Sequence, residues 1–556
     1  MDNGQIADAF NLVAKLMDVN GENSFRVKTY SNASFNIDKE QKRIADLSLN
    51  EIAAIKGVGA STAQKVFDFI HTGKLDILEE YIAKTPPGII EMLSIKGIGP
   101  KKINVIWKEM GIESVGELLY ACNENRLTMY KGFGEKTQNN IREALEYFIG
   151  KKGFFLYAEA VPFYNEIAVL LGDHFTAVGE YVRQLEIIES LDFVVSGINN
   201  TEVKNKFQSL PFLFVSESGN ELIYQIENGP KIKCIIIENT LKNTEVFKRN
   251  SAPEFITLLE ENYPHLDTVL KETANDKAVF TQLGMAYLPP YLREVSNNAL
   301  QLAQANKLPT VISKNDIRGI IHSHSTWSDG ANTLEEMALY AQQTGLEYLV
   351  ISDHSKSAFY ANGLQPERIL SQHAEIENLN KRLNGFKIFK SIESDILIDG
   401  SLDYDNDILA SFDLVIASVH SVLKMDETKA VNRLIKAIEN PYTNILGHMT
   451  GRLLLSRPGY PVNHDLIIDA CAANNVVIEL NAHPRRLDID WRFLTKALDK
   501  GVLTSINPDA HSVEGYKDTR YGVFVAQKAL LTANKNLSSF TLSQMEAFIV
   551  QQHAKR

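Results

Sequence analysis

Histidine and carboxylate residues repeatedly follow short apolar runs in the last third of the chain. His322 and His324 end the first run, and side chains two positions apart in a strand point to the same side, so both imidazoles can reach one ion. Mixed imidazole and carboxylate ligands favour Mn²⁺ or Zn²⁺ over Mg²⁺, and such ions activate water for attack on phosphorus. The nine candidate ligands are His322, His324, Asp329, His354, Glu393, His420, His448, Asp509 and His511.

The segments that must bring these ligands together alternate between short apolar strands and amphipathic helices from residue 318 onward. This alternation predicts βα units and a parallel sheet or barrel. Strands of a parallel barrel end on one face, so ligands at successive strand ends converge although they are far apart in sequence. The alternative is that each His or Asp caps a helix or satisfies a loop, which would explain one or two of them but not nine.

Residues 318 to about 520 resemble the PHP (polymerase and histidinol phosphatase) family, and all nine ligand positions match. The resemblance implies a distorted (β/α)7 barrel with a trinuclear metal centre. It implies one ion held by His322, His324, Glu393 and Asp509, a second that shares Glu393 and adds His420 and His448, and a third held by Asp329, His354 and His511. Ile320 departs from the Asp of many members, but this position is not a ligand. The candidates for binding phosphate are Arg452, Arg457 and Arg485, for which an ordinary surface role is the alternative.

A second pattern occurs three times in the first 150 residues, at residues 55–59, 95–99 and 130–134. Each copy has a lysine before a Gly-x-Gly turn, and a helix is expected after it. Such glycines permit a tight turn, and the backbone N–H groups of the next helix can bind phosphate. One Gly-x-Gly turn can be purely structural, but three similar copies favour the helix-hairpin-helix pattern, which grips the DNA backbone without reading sequence. The candidate DNA-binding residues are Lys56, Gly57, Gly59, Lys96, Gly97, Gly99, Lys131, Gly132 and Gly134.

One lysine after the first copy is a candidate for covalent chemistry. Residues 57–65 resemble the lyase subdomain of family X DNA polymerases, and Lys65 falls at the Schiff-base lysine of that family. The alternative is a solvated lysine on the surface of a helix.

Residues 179–192 resemble the nucleotidyltransferase palm of the same family, in which Gly179, Arg183 and Asp192 match the family pattern. Ser190 replaces the first metal-binding aspartate, and Lys233 or Cys234 stands where the third is expected. Phosphoryl transfer by two metals needs several carboxylates to hold both ions. We therefore expect a vestigial palm that keeps its fold and has lost polymerase activity. Residues 287–294 resemble the end of the family's thumb, which extends the expected fold to about residue 300.

The overall composition is that of a globular protein of 556 residues, long enough for several domains. A mean hydropathy of −0.15 argues against a transmembrane helix, and the N-terminus lacks signal-peptide features. Three widely separated cysteines argue against a disulfide framework. These features predict a soluble cytoplasmic protein without a membrane partner, and the expected DNA binding would associate it with the nucleoid. The net charge of −12 argues against a general nucleic-acid binder, but a backbone grip does not need a basic patch.

The order of these parts is that of bacterial family X DNA polymerases with a C-terminal PHP domain. We expect a multidomain α/β protein with an all-α helix-hairpin-helix part at 1–150, an α+β palm and thumb at 151–300, and a PHP barrel at 311–556. The resemblance implies a Mn²⁺-dependent 3′→5′ exonuclease, with AP-endonuclease or 3′-phosphatase action as further activities. We expect the protein to act in the repair of gapped or nicked DNA. We also expect it to be a monomer. Two alternatives stay open: an active gap-filling DNA polymerase, and a small-molecule phosphatase with an N-terminal scaffold.

Overall fold

The computed structural model describes residues 1–556 except residues 2, 41, 96, 151–152, 228 and 295–297. The described chain forms two compact units. The first contains Met1–Asn123 and Tyr130–Ile149, and the second contains Glu124–Met129 and Gly150–Arg556. Among the described residues, no helix combines the length and apolarity needed to cross a bilayer.

The first unit is helical throughout its described residues. Ile6, Phe10, Val13 and Met17 recur at helical spacing in the first helix and are fully buried, so one face of this helix forms the core. A capping box of Ser48 and Glu51 satisfies N–H groups at the start of a later helix. The helices span Asn3–Val19, Ser24–Lys39, Leu49–Ala53, Ala60–Thr72, Asp76–Lys84, Pro87–Met92, Pro100–Lys108, Val115–Asn123 and Glu135–Gly150.

The second unit begins with a mixed sheet. Its strands and those of an adjoining two-stranded ribbon are β1 Phe155–Leu156, β2 Phe175–Val178, β3 Ile187–Ile188, β4 Ser190–Ser196, β5 Phe212–Ser218, β6 Glu221–Ile226 and β7 Lys231–Ile237. The main sheet has the order β2-β4-β7-β6-β5, with β4 and β7 parallel and the other neighbours antiparallel. Helices Tyr157–Leu171 and Asn200–Gln208 accompany the sheet, and Phe193, Phe207 and Leu222 lie in its core.

A group of short helices follows the sheet. They span Lys242–Arg249, Pro253–Asn262, Leu266–Glu272, Asp276–Gln282 and Ala299–Gln304. Phe247, Phe255 and Phe280 form their core. Arg293 is fully buried, where its guanidinium pairs with Asp276 at 2.6 Å and donates to the carbonyl of Leu288 at 2.9 Å, so its charge is compensated.

The rest of the chain is a parallel barrel. Within the described residues its seven strands are β8 Gly319–Ile320, β9 Tyr348–Ile351, β10 Lys387–Asp395, β11 Leu414–Ser418, β12 Ile445–Leu446, β13 Val477–Asn481 and β14 Thr504–Asn507, in the order β14-β13-β12-β11-β10-β9-β8. A parallel bridge between Ser323 and Ala510, with the N–H of His324 donating to the Ala510 carbonyl at 2.8 Å, nearly closes the sheet. The expected fold classes, all-α, α+β and a (β/α)7 barrel, are confirmed.

Helices surround the barrel, and their bounds are Leu334–Gln343, Pro366–Asn380, Asn406–Leu409, Glu427–Ile438, His464–Asn474, Trp491–Asp499, Thr519–Lys528 and Leu542–His553. Phe389 and Val477 pack in one core cluster near the starts of β10 and β13. Because side chains alternate along a strand, the same strand faces carry Glu393 and Glu479 further on. One face of each of these strands is therefore apolar at its start and ionisable toward its end.

Candidate metal centre

The nine predicted ligands lie together at the carboxyl ends of the barrel strands. All nine side chains are buried, and His322, His324 and Glu393 are completely so. Among the described residues, donor atoms within 4.8 Å of one another form three groups that could hold ions. The groups are His322, His324 and Asp509; His354, Glu393 and His420; and His324, Asp329, His354 and His511.

Glu393, on β10, is the centre of this arrangement. Its Oε1 lies 3.0 Å from Nε2 of His448, 3.1 Å from Nε2 of His420 and 3.2 Å from Nε2 of His322. Its Oε2 lies 2.9 Å from Nδ1 of His354. Both oxygens of this carboxylate would therefore be available to ions held together with these four imidazoles.

The remaining ligands lie on either side of this carboxylate. Asp509 Oδ1 is 3.1 Å from Nε2 of His324 and 3.4 Å from Nε2 of His322. Asp329 lies 3.6 Å from Nε2 of His354 and 3.4 Å from Nε2 of His511. His324 and His354 each fall in two groups, whereas the resemblance assigns each of them to one ion.

Several donor atoms of the cluster are buried without a hydrogen-bond partner in the described part of the chain. They are Nε2 of His322, both ring nitrogens of His354, both carboxylate oxygens of Asp329, Oε2 of Glu393 and Nε2 of His511. Buried polar atoms without partners are costly and rare in native proteins. Divalent ions among imidazole and carboxylate donors would satisfy these atoms, so the residues present fit a metal centre.

The electrostatics keep the central carboxylates ionised. Burial alone would raise the pKa of Glu393, but the imidazoles of His420, His322 and His354 hold it well below its usual value. Burial also opposes ionisation of Asp509, whose pKa is nevertheless held well below its usual value by His322 and His324. Both residues are therefore carboxylates at neutral pH, the form that binds cations.

Two further carboxylates orient ligand histidines, and sequence analysis missed both. Glu479, on β13, contacts Nδ1 of His322 at 2.5 Å, and Asp395, at the end of β10, contacts Nδ1 of His420. Such contacts fix the tautomer and direct Nε2 toward a metal. The sequence signal that could have identified Glu479 is its acidic side chain within the apolar run at 476–480.

The backbone is strained at two of the ligands. His322 has a φ of 63° and Asp509 a φ of 52°, in the left-handed region that L-residues rarely adopt. Both flank the bridge between Ser323 and Ala510 that nearly closes the barrel. Strain of this kind costs about 1–3 kcal/mol per residue and concentrates at functional sites.

The three arginines expected to bind phosphate each have a protein partner. Arg452 pairs with Asp490 at 2.7 Å, Arg485 pairs with Glu159 at 2.8 Å, and Arg457 donates to the Gly451 carbonyl at 2.9 Å. The phosphate-binding role of these three residues therefore stays a prediction. Arg486 is buried with its Nε 3.5 Å from Oδ2 of Asp509, which places a cation beside the cluster. Nothing in the sequence indicates that Arg486, rather than the adjacent Arg485, lies beside the cluster.

The helix-hairpin-helix residues occupy turns between helices of the first unit. Gly57 and Gly97 have φ of +80° and +96°, which glycine tolerates best. Gly59 and Gly99 directly precede the helices Ala60–Thr72 and Pro100–Lys108. In the third copy, Lys131, Gly132 and Gly134 precede Glu135–Gly150, but the segment before them is the short 3₁₀ turn Arg126–Met129 rather than an α-helix.

The lysines of these turns lie on the surface where the structure describes them. Lys56 and Lys131 are exposed, and Lys96 lies outside the described residues. Lys65 lies on Ala60–Thr72 with its Nζ 3.1 Å from Oγ of Ser61, which leaves the choice between a lyase role and a surface lysine open.

The palm residues lie on and beside β4. The Oγ of Ser190 donates to Asp192 at 2.6 Å, and Lys233, rather than the buried Cys234, is the neighbour of Asp192 in the sheet register. Arg183 pairs with Glu294 at 3.1 Å. The N–H of Gly179 donates to Asn250 at 3.1 Å.

The chain is similar to known proteins in both its N-terminal and its C-terminal parts. Residues 1–75 match the model of the helix-hairpin-helix domain, and residues 89–146 match that of the SAM-like helix-hairpin-helix tandem. The DNA polymerase/3′-5′ exonuclease PolX of Bacillus subtilis (strain 168) is 31% identical over 97% of each chain. A probable phosphatase of Thermoanaerobacter sp. (strain X514) is 29% identical over 34% of this chain and 77% of its own length. A probable phosphatase of Caldicellulosiruptor bescii is 28% identical over 39% of this chain and 92% of its own.

Proposed function

The chain belongs to the bacterial family X DNA polymerases that carry a C-terminal PHP domain, and from this membership we propose that it is a DNA-repair phosphoesterase. Its proposed reaction is metal-dependent 3′→5′ exonucleolytic cleavage of gapped or nicked DNA. The observation that carries this proposal is that all nine predicted ligands lie together in one buried cluster around Glu393, whereas the palm keeps only Asp192 of its expected metal-binding aspartates.

The proposed roles are those that the family resemblance implies, and the contacts of Glu393 support them. His322, His324, Glu393 and Asp509 would hold one ion, His420 and His448 would complete a second with Glu393, and Asp329, His354 and His511 would hold a third. Divalent ions bound there, Mn²⁺ or Zn²⁺, would supply an activated water and neutralise the phosphate oxygens. Glu479 and Asp395 keep the imidazoles oriented, and the Arg486 cation adds positive charge next to Asp509.

We further propose that residues 1–150 hold the DNA, that 151–300 are a palm and thumb without polymerase activity, and that 311–556 perform the hydrolysis. The two helix-hairpin-helix matches support the first part. Ser190 and Lys233 support the second, because neither can bind a divalent cation as aspartate does. The enzyme then acts as a monomer in the cytoplasm, at the nucleoid where its substrate lies, and Lys65 is the candidate for lyase action.

A second candidate function is hydrolysis of small phosphomonoesters, which the two phosphatase relatives favour. One substrate panel separates the two functions. The full-length protein with Mn²⁺ would be given 5′-labelled gapped DNA with a 3′-hydroxyl, the same DNA with a 3′-phosphate or an abasic site, and histidinol phosphate.

Exonuclease action predicts a ladder of shortened DNA from the 3′-hydroxyl substrate, lost in His322→Ala and retained in the surface variant Asp405→Asn. Phosphate release from histidinol phosphate without a ladder would establish the phosphatase instead. A single incision at the abasic site without a ladder would assign an AP-endonuclease.

A further inference from the structure

A third ligand histidine also has a carboxylate on its Nδ1, and that carboxylate comes from outside the barrel sequence. Glu124 contacts Nδ1 of His511, as Glu479 contacts Nδ1 of His322 and Asp395 contacts Nδ1 of His420. We propose that Glu124 is a positioning residue of the metal centre, which sets the orientation of His511 and thereby strengthens ion binding between His511 and Asp329. This inference rests on the proposed metal centre.

The geometry of His511 supports this role. Its Nδ1 faces the Glu124 carboxylate and also lies 3.1 Å from the carbonyl of Asp509, so the ring proton belongs on Nδ1. The lone pair of Nε2 is then free to bind an ion, and Nε2 lies 3.4 Å from Oδ1 of Asp329. Nδ1 therefore lies beside a carboxylate and Nε2 lies toward the other predicted ligands, as in a carboxylate–histidine–metal arrangement.

Glu124 is held in place by its own short segment. The residue is 3% exposed and belongs, with the rest of Glu124–Met129, to the second compact unit. Leu127 is completely buried, and the guanidinium of Arg126 lies 5.1 Å from the centre of the Tyr360 ring. Tyr360 in turn lies 6.5 Å from the ring of the ligand His354, so the segment is anchored beside the same group of ligands.

Two imidazoles surround the buried carboxyl group of Glu124. Its Oε1 lies 3.9 Å from Nε2 of His483, and its Oε2 meets His511. Burial of a carboxylate is costly unless it is paired, and the two imidazoles provide that pairing. Glu124 also differs from Glu479 and Asp395 in its origin: theirs are barrel strands, whereas it precedes the barrel by almost 200 residues of sequence.

The test measures ion binding directly in the full-length protein. Equilibrium dialysis against Mn²⁺, with metal content read by mass spectrometry, gives the number of ions and their affinities. We expect Glu124→Ala to bind one ion about 10–100-fold more weakly, the usual effect of losing an outer-shell partner, with the other ions unchanged. Glu124→Gln, whose amide oxygen can take the place of the carboxylate oxygen beside Nδ1, should recover most of this affinity. The matched control is Glu143→Gln, an exposed carboxylate on Glu135–Gly150.

Wild-type affinities in Glu124→Ala, with an unchanged melting temperature, would overturn the proposal. Should Glu124→Ala fail to fold, Glu124→Asp gives the answer, because its shorter side chain retracts the carboxylate from Nδ1: weaker binding of one ion supports the role, and unchanged binding overturns it. Failure of the proposed function is distinguishable, since it would appear as wild-type protein that binds Mn²⁺ normally and does not shorten DNA.

Discussion

Asp192 on β4 lies beside Lys233 on β7 in the parallel register of the palm sheet. Burial raises the pKa of Asp192, while the hydroxyl of Ser190 and the ammonium of Lys233 oppose that shift. The remaining carboxylate of the palm therefore has protein partners where a polymerase of this family places divalent ions. The position of Lys233 makes a second ion at this site electrostatically unfavourable.

This relationship predicts that the palm does not bind divalent ions because it lacks carboxylates, although its fold is intact. The double variant Ser190→Asp/Lys233→Asp should bind at least one Mg²⁺ more than the wild type, because three carboxylates then share one sheet face. Metal content after equilibrium dialysis measures this. Lys271→Asp, which adds a charge at an exposed position, serves as the control and should leave the content unchanged. An equal content in the double variant and the wild type would contradict the interpretation.

Glu393→Gln should abolish catalysis through loss of metal. Its two oxygens meet four imidazoles, so the amide removes the charge that bridges the ligand groups. We expect exonuclease activity to fall by more than about 100-fold, beyond the usual effect of removing an outer-shell partner, together with a lower metal content. Glu377→Gln, on the outer helix Pro366–Asn380, should match the wild type. Full metal content in Glu393→Gln would show that this residue does not bridge ions.

Gly97→Ala should weaken DNA binding through the turn it occupies. Its φ of +96° strains any L-side chain by about 1–2 kcal/mol, although a Cβ there meets no atom within 4 Å. We expect a several-fold loss of affinity for nicked DNA in a filter-binding assay. Gly73→Ala imposes a similar strain at a helix end, with φ of +71° and equally open space, but lies outside the repeated turns. The turn has no role in binding if both variants lose affinity equally.

The convergence of the nine predicted ligands was predictable from sequence because most of them follow an apolar strand, and parallel strands bring their ends together. The orienting residues were not. Glu479 and His322 are 157 positions apart, and their contact depends on the barrel register rather than on any local pattern. The third glycine repeat resembles the first two in sequence, yet the segment before it, Arg126–Met129, is a 3₁₀ turn in the second unit. Packing against distant residues decided that difference.

Lys528→Met should stabilise the protein at pH 7. Burial lowers the pKa of Lys528 to about 8, with Glu294 at 3.8 Å opposing the shift. The unfolded chain then binds more protons between pH 8 and about 10, so stability rises with pH across that window. Methionine removes this dependence and should add on the order of 1–3 kcal/mol at pH 7. Glu294 keeps Arg183 as its partner.

Chemical denaturation at pH 7 and pH 9.5 measures the effect of Lys528→Met. The exposed Lys307→Met is the control, and it should change stability little at either pH. A loss of stability in Lys528→Met at pH 7 would mean that the ion pair with Glu294 outweighs the cost of burying the ammonium.

The central claim is that the barrel hydrolyses DNA and the palm does not extend it. A gel assay on 5′-labelled gapped DNA with Mn²⁺, with and without dNTPs, compares the wild type with His322→Ala and Asp192→Ala. The account predicts stepwise shortening that His322→Ala abolishes and that neither Asp192→Ala nor dNTPs affect. Primer extension by the wild type that is lost in Asp192→Ala would contradict it.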